Sequence, residues 1–444
     1  MSLSNDCPLR RDLTPSNVSL DSLKPLGRET RKHPSQQIRK LAVGLERFGF
    51  VLPVVIDARN RVVAGWGLVL AARLLELPEV PAVTLADLSE AELRALRLAL
   101  NHLGEEADWD REALRVEFSE IIALDSNIDV TLTGFEVGEI DVLLGDGADE
   151  EDEVPPVETE TPPVSRPGDL WMLGGHRVFC GDALQEESYR QALGSERARL
   201  VFTDPPYNVP IEGHVSGLGL VSHKEFAMAS GEMSSVEFRA FLEQSLGLAS
   251  RHSLDGAIHY VCMDWRHMSE LLAAGSGVYS ELKNLCVWNK TNGGMGSLYR
   301  SKHELVFVFK SGKVPHVNNV ALGKHGRYRS NVWDYAGQNS LSGGSKGKLS
   351  LHPTVKPVAM VADAIRDCSE RGALVVDPFG GSGTTLIAAD RAGRRAALIE
   401  FEPRYVDVIV RRWQNLTGRR AIHGDTFDTF GESRHSRRGM ENPL

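Results

Sequence analysis

The sequence predicts an α/β protein in two parts, a small α+β unit followed by an open sheet that carries helices on both faces. In the larger part, short continuous apolar runs alternate with helical patterns, which is typical of strands covered on both sides. An acidic, proline-rich segment separates this part from the N-terminal one. The 444 residues, 42% of them hydrophobic, are enough for two or three domains with proper cores.

The N-terminal part predicts alternating helices and strands. A helix over residues 35–45 places Ile38, Leu41, Ala42 and Leu45 on one face, with Ser35 as its cap. The elements that follow are a hairpin of residues 52–57 and 61–64, a helix over 68–77, a strand over 80–85, and a helix opened by the capping box Ser89 to Glu92.

Residues 15–125 resemble the N-terminal domain of ParB-like proteins, which shares its fold with sulfiredoxin. The resemblance rests on the order of the elements, on Gly65 between hairpin and helix, and on Val-Pro-Ala-Val at 80–83. ParB proteins that bind CTP carry a basic Gly-x-x-Arg box at this turn, whereas here it reads Gly65-Trp-Gly-Leu68, and the cysteine that sulfiredoxin needs is missing. The resemblance therefore implies a binding or scaffolding module rather than a nucleotidase or a sulfinic-acid reductase.

An acidic segment over residues 146–165 contains many prolines and no periodicity. Such a composition cannot bury a core, and its like charges hold it extended. The sequence therefore predicts a solvated linker between a domain over 1–145 and a domain over 166–420, with a basic tail over 421–444. The net charge of −10 hides an asymmetry, because the part after the linker is basic.

The composition predicts a cytoplasmic protein without a metal site. No apolar run approaches the roughly 20 residues of a membrane helix, and the first residues lack the apolar centre of a secretion signal. The five cysteines show no CxxC or Cys/His ligand spacing, which disfavours both a disulfide framework and a zinc site.

Seven apolar runs after the linker predict the strands of the larger sheet. They span residues 177–180, 199–202, 257–261, 285–288, 304–309, 374–376 and 396–399. Ligands of open α/β sheets bind beyond the carboxyl ends of the strands. The residues directly after these runs are therefore the candidates for a site.

A glycine-rich turn, Asp377-Pro-Phe-Gly-Gly-Ser-Gly-Thr-Thr385, leads from one of these strands into a helix. By itself it could hold a dinucleotide or form only a tight packing corner. Asp377 ahead of the glycines would accept a hydrogen bond from a ligand's ammonium group, and Glu400 closes the next strand, where a carboxylate grips a ribose diol. A cationic head together with a ribose favours S-adenosylmethionine over NAD, and neither a P-loop nor a strict GxGxxG is present.

This turn, downstream of Asp204-Pro-Pro-Tyr207, resembles the amino-group DNA methyltransferases of the permuted β order, in which the catalytic motif precedes the cofactor motif. The resemblance covers residues 166–420 and extends to 168–174, 181–183, 287–290, 303–305 and 352–357. It implies a Rossmann-like mixed sheet with helices on both faces, S-adenosylmethionine as cofactor and double-stranded DNA as partner.

The resemblance also implies a role for each matching residue. Asp182 would contact the cofactor adenine, and the segment with His352, Thr354 and Lys356 would pack by its methionine end. The cofactor turn itself comprises Asp377, Pro378, Phe379, Gly380, Gly381, Ser382, Gly383 and Thr384, with Glu400 on the following strand.

The Asp-Pro-Pro-Tyr corner has the groups that methylation of an exocyclic amine requires. Asp204 can accept one amino hydrogen and the carbonyl of Pro205 the other, while Pro205 and Pro206 fix that geometry in advance. Tyr207 offers a face on which a base that has left the helix can stack. Taken alone, the corner could also be a turn whose aspartate caps the next element.

The identity of the base is a separate question. Family members with Asp at this position mostly modify adenine N6 and those with Ser more often cytosine N4, so Asp204 favours adenine, with cytosine N4 as the alternative. No Pro-Cys pair is present, which disfavours cytosine C5 chemistry. The non-enzymatic alternative is a ParB-like DNA-binding adaptor with an inactive methyltransferase domain.

Basic and aromatic residues alternate over residues 310–350, where the family's target recognition falls. The predicted DNA contacts are Lys324, Arg327, Tyr328, Arg329, Lys346 and Lys348, and the alternative is a solvated loop. A second loop over 209–235 could close over the flipped base. The sequence indicates neither the recognition site nor the biological role, such as restriction-modification, and it leaves a homodimer open.

Overall fold

The computed structural model describes residues 13–28, 30–125, 128–145, 152–208, 231–290, 298–324, 326–336 and 355–441. They divide into two compact units, Met1–Glu136 and Val137–Leu444. The division lies before the predicted boundary at residue 145, because the helix Val137–Leu144 packs within the second unit.

The first unit is built on a five-stranded sheet. Its strands are β1 (Ser16–Ser19), β2 (Lys24–Pro25), β3 (Val54–Asp57), β4 (Arg61–Ala64) and β5 (Glu79–Leu85), in the order β1-β5-β3-β4-β2. Its helices are α1 (Ser35–Phe48), α2 (Trp66–Leu74), α3 (Glu90–His102) and α4 (Arg111–Leu124). The predicted α+β unit is confirmed, and β1, β2 and α4 are elements that the sequence reasoning did not identify.

Local chemistry explains two of the boundaries in this unit. The Ser89 side chain accepts from the Glu92 N–H while the Glu92 side chain accepts from the Ser89 N–H, so the predicted capping box begins α3. Gly65 before α2 has a φ of 92°, and a Cβ there would lie 2.6 Å from Cγ1 of Val54. Only glycine therefore fits this turn.

The second unit contains a ten-stranded mixed sheet. Its strands are β6 (Leu170–Leu173), β7 (His176–Cys180), β8 (Ala198–Thr203), β9 (Ser253–Met263), β10 (Glu281–Asn289), β11 (His303–Lys310), β12 (Val332–Asp334), β13 (Leu374–Asp377), β14 (Arg395–Glu400) and β15 (Ile422–His423). The strand order is β12-β10-β11-β9-β8-β13-β14-β7-β6-β15. The central strands from β9 to β7 are parallel, and antiparallel pairings flank them on both sides. All seven predicted strands and the mixed sheet are confirmed.

Helices cover both faces of this sheet. They are α5 (Val137–Leu144), α6 (Glu186–Leu193), α7 (Ser235–Arg251), α8 (Met268–Val278), α9 (Val358–Asp367), α10 (Thr384–Arg391), α11 (Pro403–Thr417) and α12 (Phe430–Glu441). One core contains residues of α9, α10 and α11, including Met360, Leu386 and Trp413. Phe238 of α7 and Tyr189 of α6 belong to separate buried clusters against the same sheet. The predicted α/β fold class is thus confirmed.

The described part of the predicted linker, residues 152–165, is packed rather than solvated. Asp407 of α11 accepts from the backbone N–H groups of Val164 at 2.7 Å and Ser165 at 2.8 Å. Glu158 pairs with Arg411 at 2.5 Å and with Arg434 of α12 at 3.0 Å. The prediction of a solvated spacer is corrected here, because the acids find basic partners on two helices much later in the chain.

Across the part of the chain that the structure describes, no helix has both the length and the apolar surface needed to cross a bilayer.

Candidate active site

The candidate site lies where the carboxyl ends of three adjacent parallel strands meet. Strand β8 ends at Thr203, β13 at Asp377 and β14 at Glu400. This edge is where open α/β sheets bind their ligands. The sheet order therefore brings the two predicted motifs together, although they are far apart in the sequence.

The predicted catalytic corner, residues 204–207, follows β8 directly. The Tyr207 hydroxyl donates to Oδ1 of Asp204 at 2.5 Å, which holds acid and aromatic ring together. Asn208, buried and at a φ of 54°, accepts from the N–H groups of Gly231 and Met233 and donates to the Met233 carbonyl at 2.8 Å. The corner is thus fixed at its exit as well as by its two prolines.

A buried ammonium group contacts the same acid. Lys356 Nζ donates to Oδ2 of Asp204 at 2.5 Å and lies 3.1 Å from Oε2 of Glu304 on β11. Lys290, directly after β10, donates to the other oxygen of Glu304. We refer to Asp204, Lys356, Glu304 and Lys290 as the charge cluster. The sequence predicted that Lys356 lies by the cofactor, and in the structure its ammonium group contacts Asp204, the predicted catalytic acid.

The charges of the cluster act on each other's protonation. Burial raises the pKa of Asp204, Lys356 opposes that rise, and Glu304 adds to it. Burial also disfavours the ionised form of Glu304, but the two lysines hold its pKa below the usual range. Both acids raise the pKa of Lys356 in spite of its burial. Lys356 therefore remains a cation at neutral pH.

Asp377 connects the two motifs. It accepts from the Thr203 hydroxyl at 3.0 Å, from the Thr385 hydroxyl at 2.6 Å and from the Phe379 N–H at 3.0 Å. Burial raises its pKa to about 7. The end of β8 and the start of the glycine turn are thus joined through one carboxylate.

Glu400 supports the turn from the neighbouring strand. Its Oε2 accepts from the Gly381 N–H at 2.7 Å and its Oε1 from the Glu402 N–H at 2.8 Å. Burial raises the pKa of Glu400 to about 7. Gly383 begins α10 at a φ of 82°, and a Cβ there would lie 2.9 Å from Cγ2 of Ile409. The turn therefore needs glycine at this position.

The remaining predicted cofactor residues surround this turn. Pro378 precedes Phe379 in the turn, and the Phe379 ring packs on Phe241 with ring centroids 5.8 Å apart. The Gly380 N–H donates to the Ile399 carbonyl at 2.9 Å. Asp182 lies just after β7 and accepts from the Leu184 N–H at 2.8 Å. The predicted Asp182, the turn and Glu400 thus lie at the ends of adjacent strands.

Sequence reasoning missed Arg412 beneath the glycine turn. Its guanidinium is buried and donates to the Ser382 carbonyl at 2.9 Å, to the Thr384 hydroxyl at 3.2 Å and to Asp152 at 2.9 Å. An arginine four residues after Val408, on the apolar face of α11, was the available signal.

Two predicted DNA contacts have a different environment in the structure. The side chains of Arg327 and Arg329 are mostly buried and pair with Asp367 of α9, at 2.7 Å and 3.1 Å, and also with Asp363. They hold residues 326–336 against α9 and are not free surface charges, which corrects the expected phosphate contacts. Lys324 and Tyr328 are exposed.

Some predicted site residues fall outside the described ranges. These are His352, Thr354, Lys346, Lys348 and most of the second loop over 209–235.

The fold and the two adjoining motifs are similar to those of amino-group methyltransferases, and two family models match the chain. Residues 198–411 match the family model described as DNA methylase, of the N6/N4 type, and residues 112–167 match the ParB-methyltransferase HTH domain. The predicted amino-group DNA methyltransferase with a ParB-like N-terminal part is thereby confirmed. The second match includes the residues that composition suggested were a linker.

Two Type II methyltransferases are similar to part of this chain. M.HinfI of Haemophilus influenzae is 26% identical over an alignment of 253 residues, which covers 54% of this chain and 68% of that protein. M2.MboI of Moraxella bovis is 25% identical over an alignment of 232 residues, which covers 49% of this chain and 81% of that protein.

Parts of this chain are also similar to solved structures. The M1.HpyAVI–SAM complex is 20% identical with a TM-score of 0.39, over 53% of this chain and 97% of that one. The cytosine-N4-specific PvuII DNA methyltransferase is 17% identical with a TM-score of 0.42, and the match covers 64% of this chain and 96% of that one. C-terminally truncated ParB from Caulobacter crescentus, complexed with CTP-gamma-S, is 13% identical with a TM-score of 0.27. That match covers 30% of this chain and 77% of the ParB chain.

Proposed function

We propose that this DNA methyltransferase transfers a methyl group from S-adenosylmethionine to the N6 amine of an adenine that has left the double helix. The observation that carries the proposal is the position of Asp204, fixed between the Tyr207 hydroxyl and the Lys356 ammonium one strand away from the cofactor turn. The M1.HpyAVI–SAM complex, a solved structure to which this chain is similar, contains the predicted cofactor.

The chemistry of the amine explains why such a corner is needed. The lone pair of an exocyclic amine is delocalised into the ring, so the enzyme must accept the amino hydrogens and favour tetrahedral nitrogen. Asp204 accepts one hydrogen, and the Pro205 carbonyl accepts the other in a geometry that the prolines fix. Stacking on Tyr207 returns roughly 1–3 kcal/mol of the cost of unstacking the base.

The residues at the strand ends fit S-adenosylmethionine. Asp377 and Glu400 offer two buried carboxylates on neighbouring strands, and a Cβ on Gly381 would meet only the Phe379 carbonyl, at 3.9 Å. Gly381 therefore faces open space beside these acids. Asp377 would hold the amino group of the cofactor, Glu400 its ribose hydroxyls and Asp182 its adenine. When bound, the cofactor supplies a methyl group activated by a sulfonium.

The pKa values of the two carboxylates predict that cofactor affinity depends on pH. The pKa of both Asp377 and Glu400 is raised to about 7, and the ionised forms accept hydrogen bonds from the ligand. Protonation at pH 5.5 removes these acceptors, so affinity should rise about tenfold between pH 5.5 and pH 7.5. Titration calorimetry measures this directly. Glu400→Gln should show a smaller rise, and equal affinities of the wild type at both pH values would contradict the assignment.

The choice of base is tested by the product. Unmethylated genomic DNA is incubated with the purified protein and S-adenosylmethionine, digested to nucleosides and analysed by mass spectrometry. We expect N6-methyldeoxyadenosine as the product, because an aspartate occupies the acceptor position in the corner. N4-methyldeoxycytidine as the only product would refute the adenine assignment while leaving the amino-methyltransferase in place.

Double-stranded DNA is the proposed partner. Of the predicted contacts that the structure describes, Lys324 and Tyr328 remain candidates because both are exposed. A cation supplies phosphate affinity and an aromatic ring supplies a stacking face.

A further inference from the structure

The charge cluster alternates in sign along its length. Oδ2 of Asp204 lies 2.5 Å from Lys356 Nζ, which lies 3.1 Å from Oε2 of Glu304, and the other oxygen of Glu304 contacts Lys290. Its four members come from separate places: the end of β8, the segment before α9, the start of β11 and the end of β10. Only the folded sheet brings them together.

Lys356 is the central member. Its side chain is 5% exposed, its ammonium group contacts both acids, and it lies 3.4 Å from the Tyr207 hydroxyl. Lys290 contacts Glu304 and is 28% exposed at the outer end of the cluster. Removing the cation of Lys356 would leave the buried carboxylate of Asp204 without a cation and under the influence of the negative charge of Glu304, and such an arrangement favours protonation of Asp204.

We propose that Lys356 and Glu304 are positioning residues that set the acceptor strength of Asp204 in methyl transfer. Lys356 orients the carboxylate and keeps it ionised, so that it can accept a hydrogen from the amine of the base. Lys356 also pairs with Glu304, so the ammonium group does not fully neutralise the carboxylate of Asp204. This inference rests on the proposed function and adds two residues to the machinery around the corner.

Other groups also face Asp204 and must be considered in a pH argument. The Tyr207 hydroxyl donates to it, and burial followed by the nearby acids raises the pKa of this phenol, so Tyr207 remains a donor. Burial raises the pKa of the Cys262 thiol on β9, which therefore carries no charge at neutral pH. Asp377 on β13 is a further carboxylate near Asp204. Burial raises the pKa of Asp377, and the negative charge of Asp204 adds to that rise. Among these groups and the two acids, Lys356 is the cation in contact with Asp204.

The proposal predicts opposite effects of two substitutions on the pH profile. The single-turnover rate at which a tritium-labelled methyl group passes from S-adenosylmethionine to unmethylated genomic DNA is measured from pH 5 to pH 9. Lys356→Met removes the cation, so the acid limb should move to higher pH, with a rate at pH 6.5 about tenfold below its own rate at pH 8.5. Glu304→Gln removes a negative charge from the site, so its acid limb should lie below that of the wild type. Lys356→Arg should largely restore the wild-type profile.

A structural role alone would lower the rate without moving the two acid limbs in opposite directions. Acid limbs that coincide in the wild type, Lys356→Met and Glu304→Gln would therefore overturn the proposal. A shift of both limbs in the same direction would do the same.

A second measurement separates this inference from the proposed function. In Lys356→Met the folded protein holds Asp204 without its cation and with a raised pKa, so the destabilisation is largest at high pH and disappears as Asp204 protonates. The unfolding midpoint should lie well below that of the wild type at pH 8, approach it at pH 5, and recover at pH 8 in Lys356→Met with Asp204→Asn. If the wild type transferred no methyl group, the proposed function would fail. The difference in unfolding midpoint would still show whether Lys356 and Asp204 form an ion pair in the folded protein. A difference that does not vary with pH would refute the pairing.

Discussion

Replacing Asp204 with alanine is expected to lower the rate of methyl transfer by about 10²–10⁴-fold while leaving the affinity for S-adenosylmethionine nearly unchanged. The substitution removes the acceptor for the amino hydrogen. The groups assigned to the cofactor lie at or after the ends of β7, β13 and β14, whereas Asp204 accepts hydrogen bonds from Tyr207 and Lys356. Single-turnover transfer and titration calorimetry on the same preparation measure the two effects.

Asp204→Asn is the matched control, because it keeps the shape of the side chain and one acceptor oxygen. We expect a smaller loss of rate than with alanine and the same cofactor affinity. An equal loss of rate and of cofactor binding in Asp204→Ala would show that the corner holds the structure rather than the chemistry.

The second large effect concerns stability and is expected for Asp141→Ala. Asp141 of α5 accepts from Arg394 at 2.8 Å and from Arg371 at 3.0 Å, and the side chains of Asp141 and Arg394 are fully buried. Removing one partner of such a pair leaves an unpaired buried charge, at a cost of about 3–5 kcal/mol in the free energy of unfolding. Denaturant unfolding of the full chain measures this loss.

An exposed ion pair in the same unit provides the control. Glu243 pairs with Arg239 at 2.8 Å on the surface of α7, and such pairs contribute about 0–1 kcal/mol. Glu243→Ala should therefore have little effect. If Asp141→Ala cost no more than Glu243→Ala, α5 would not be tied to the second unit by this ion pair.

The strands and the glycine turn could be predicted because their signals are local. Each buried strand is a continuous apolar run, and a turn with a positive φ at Gly383 carries its glycine in the sequence. Parallel order and right-handed connections then bring the strand ends to one edge. Asp204, Asp377 and Glu400 could thus be assigned to one site before the fold was known.

Partners that depend on sheet order could not be predicted in the same way. Glu304 reaches Lys356 because β11 lies beside β9, which pairs with β8 ahead of Asp204. The acids of the presumed linker appeared solvated because Arg411, the partner of Glu158, lies 253 residues later. Charged residues far apart in the sequence carry no periodic signal, so their pairing follows only from the folded chain.

We propose above all that the Asp204 corner methylates an exocyclic amine of a DNA base. The most direct measurement is modification-sensitive sequencing of DNA from a methylation-free host that expresses the wild-type chain or Asp204→Ala. We expect N6-methyladenine at a fixed sequence with the wild type and none with Asp204→Ala. Unmodified DNA from a host that contains the folded wild-type protein, or the same modification with both chains, would contradict it.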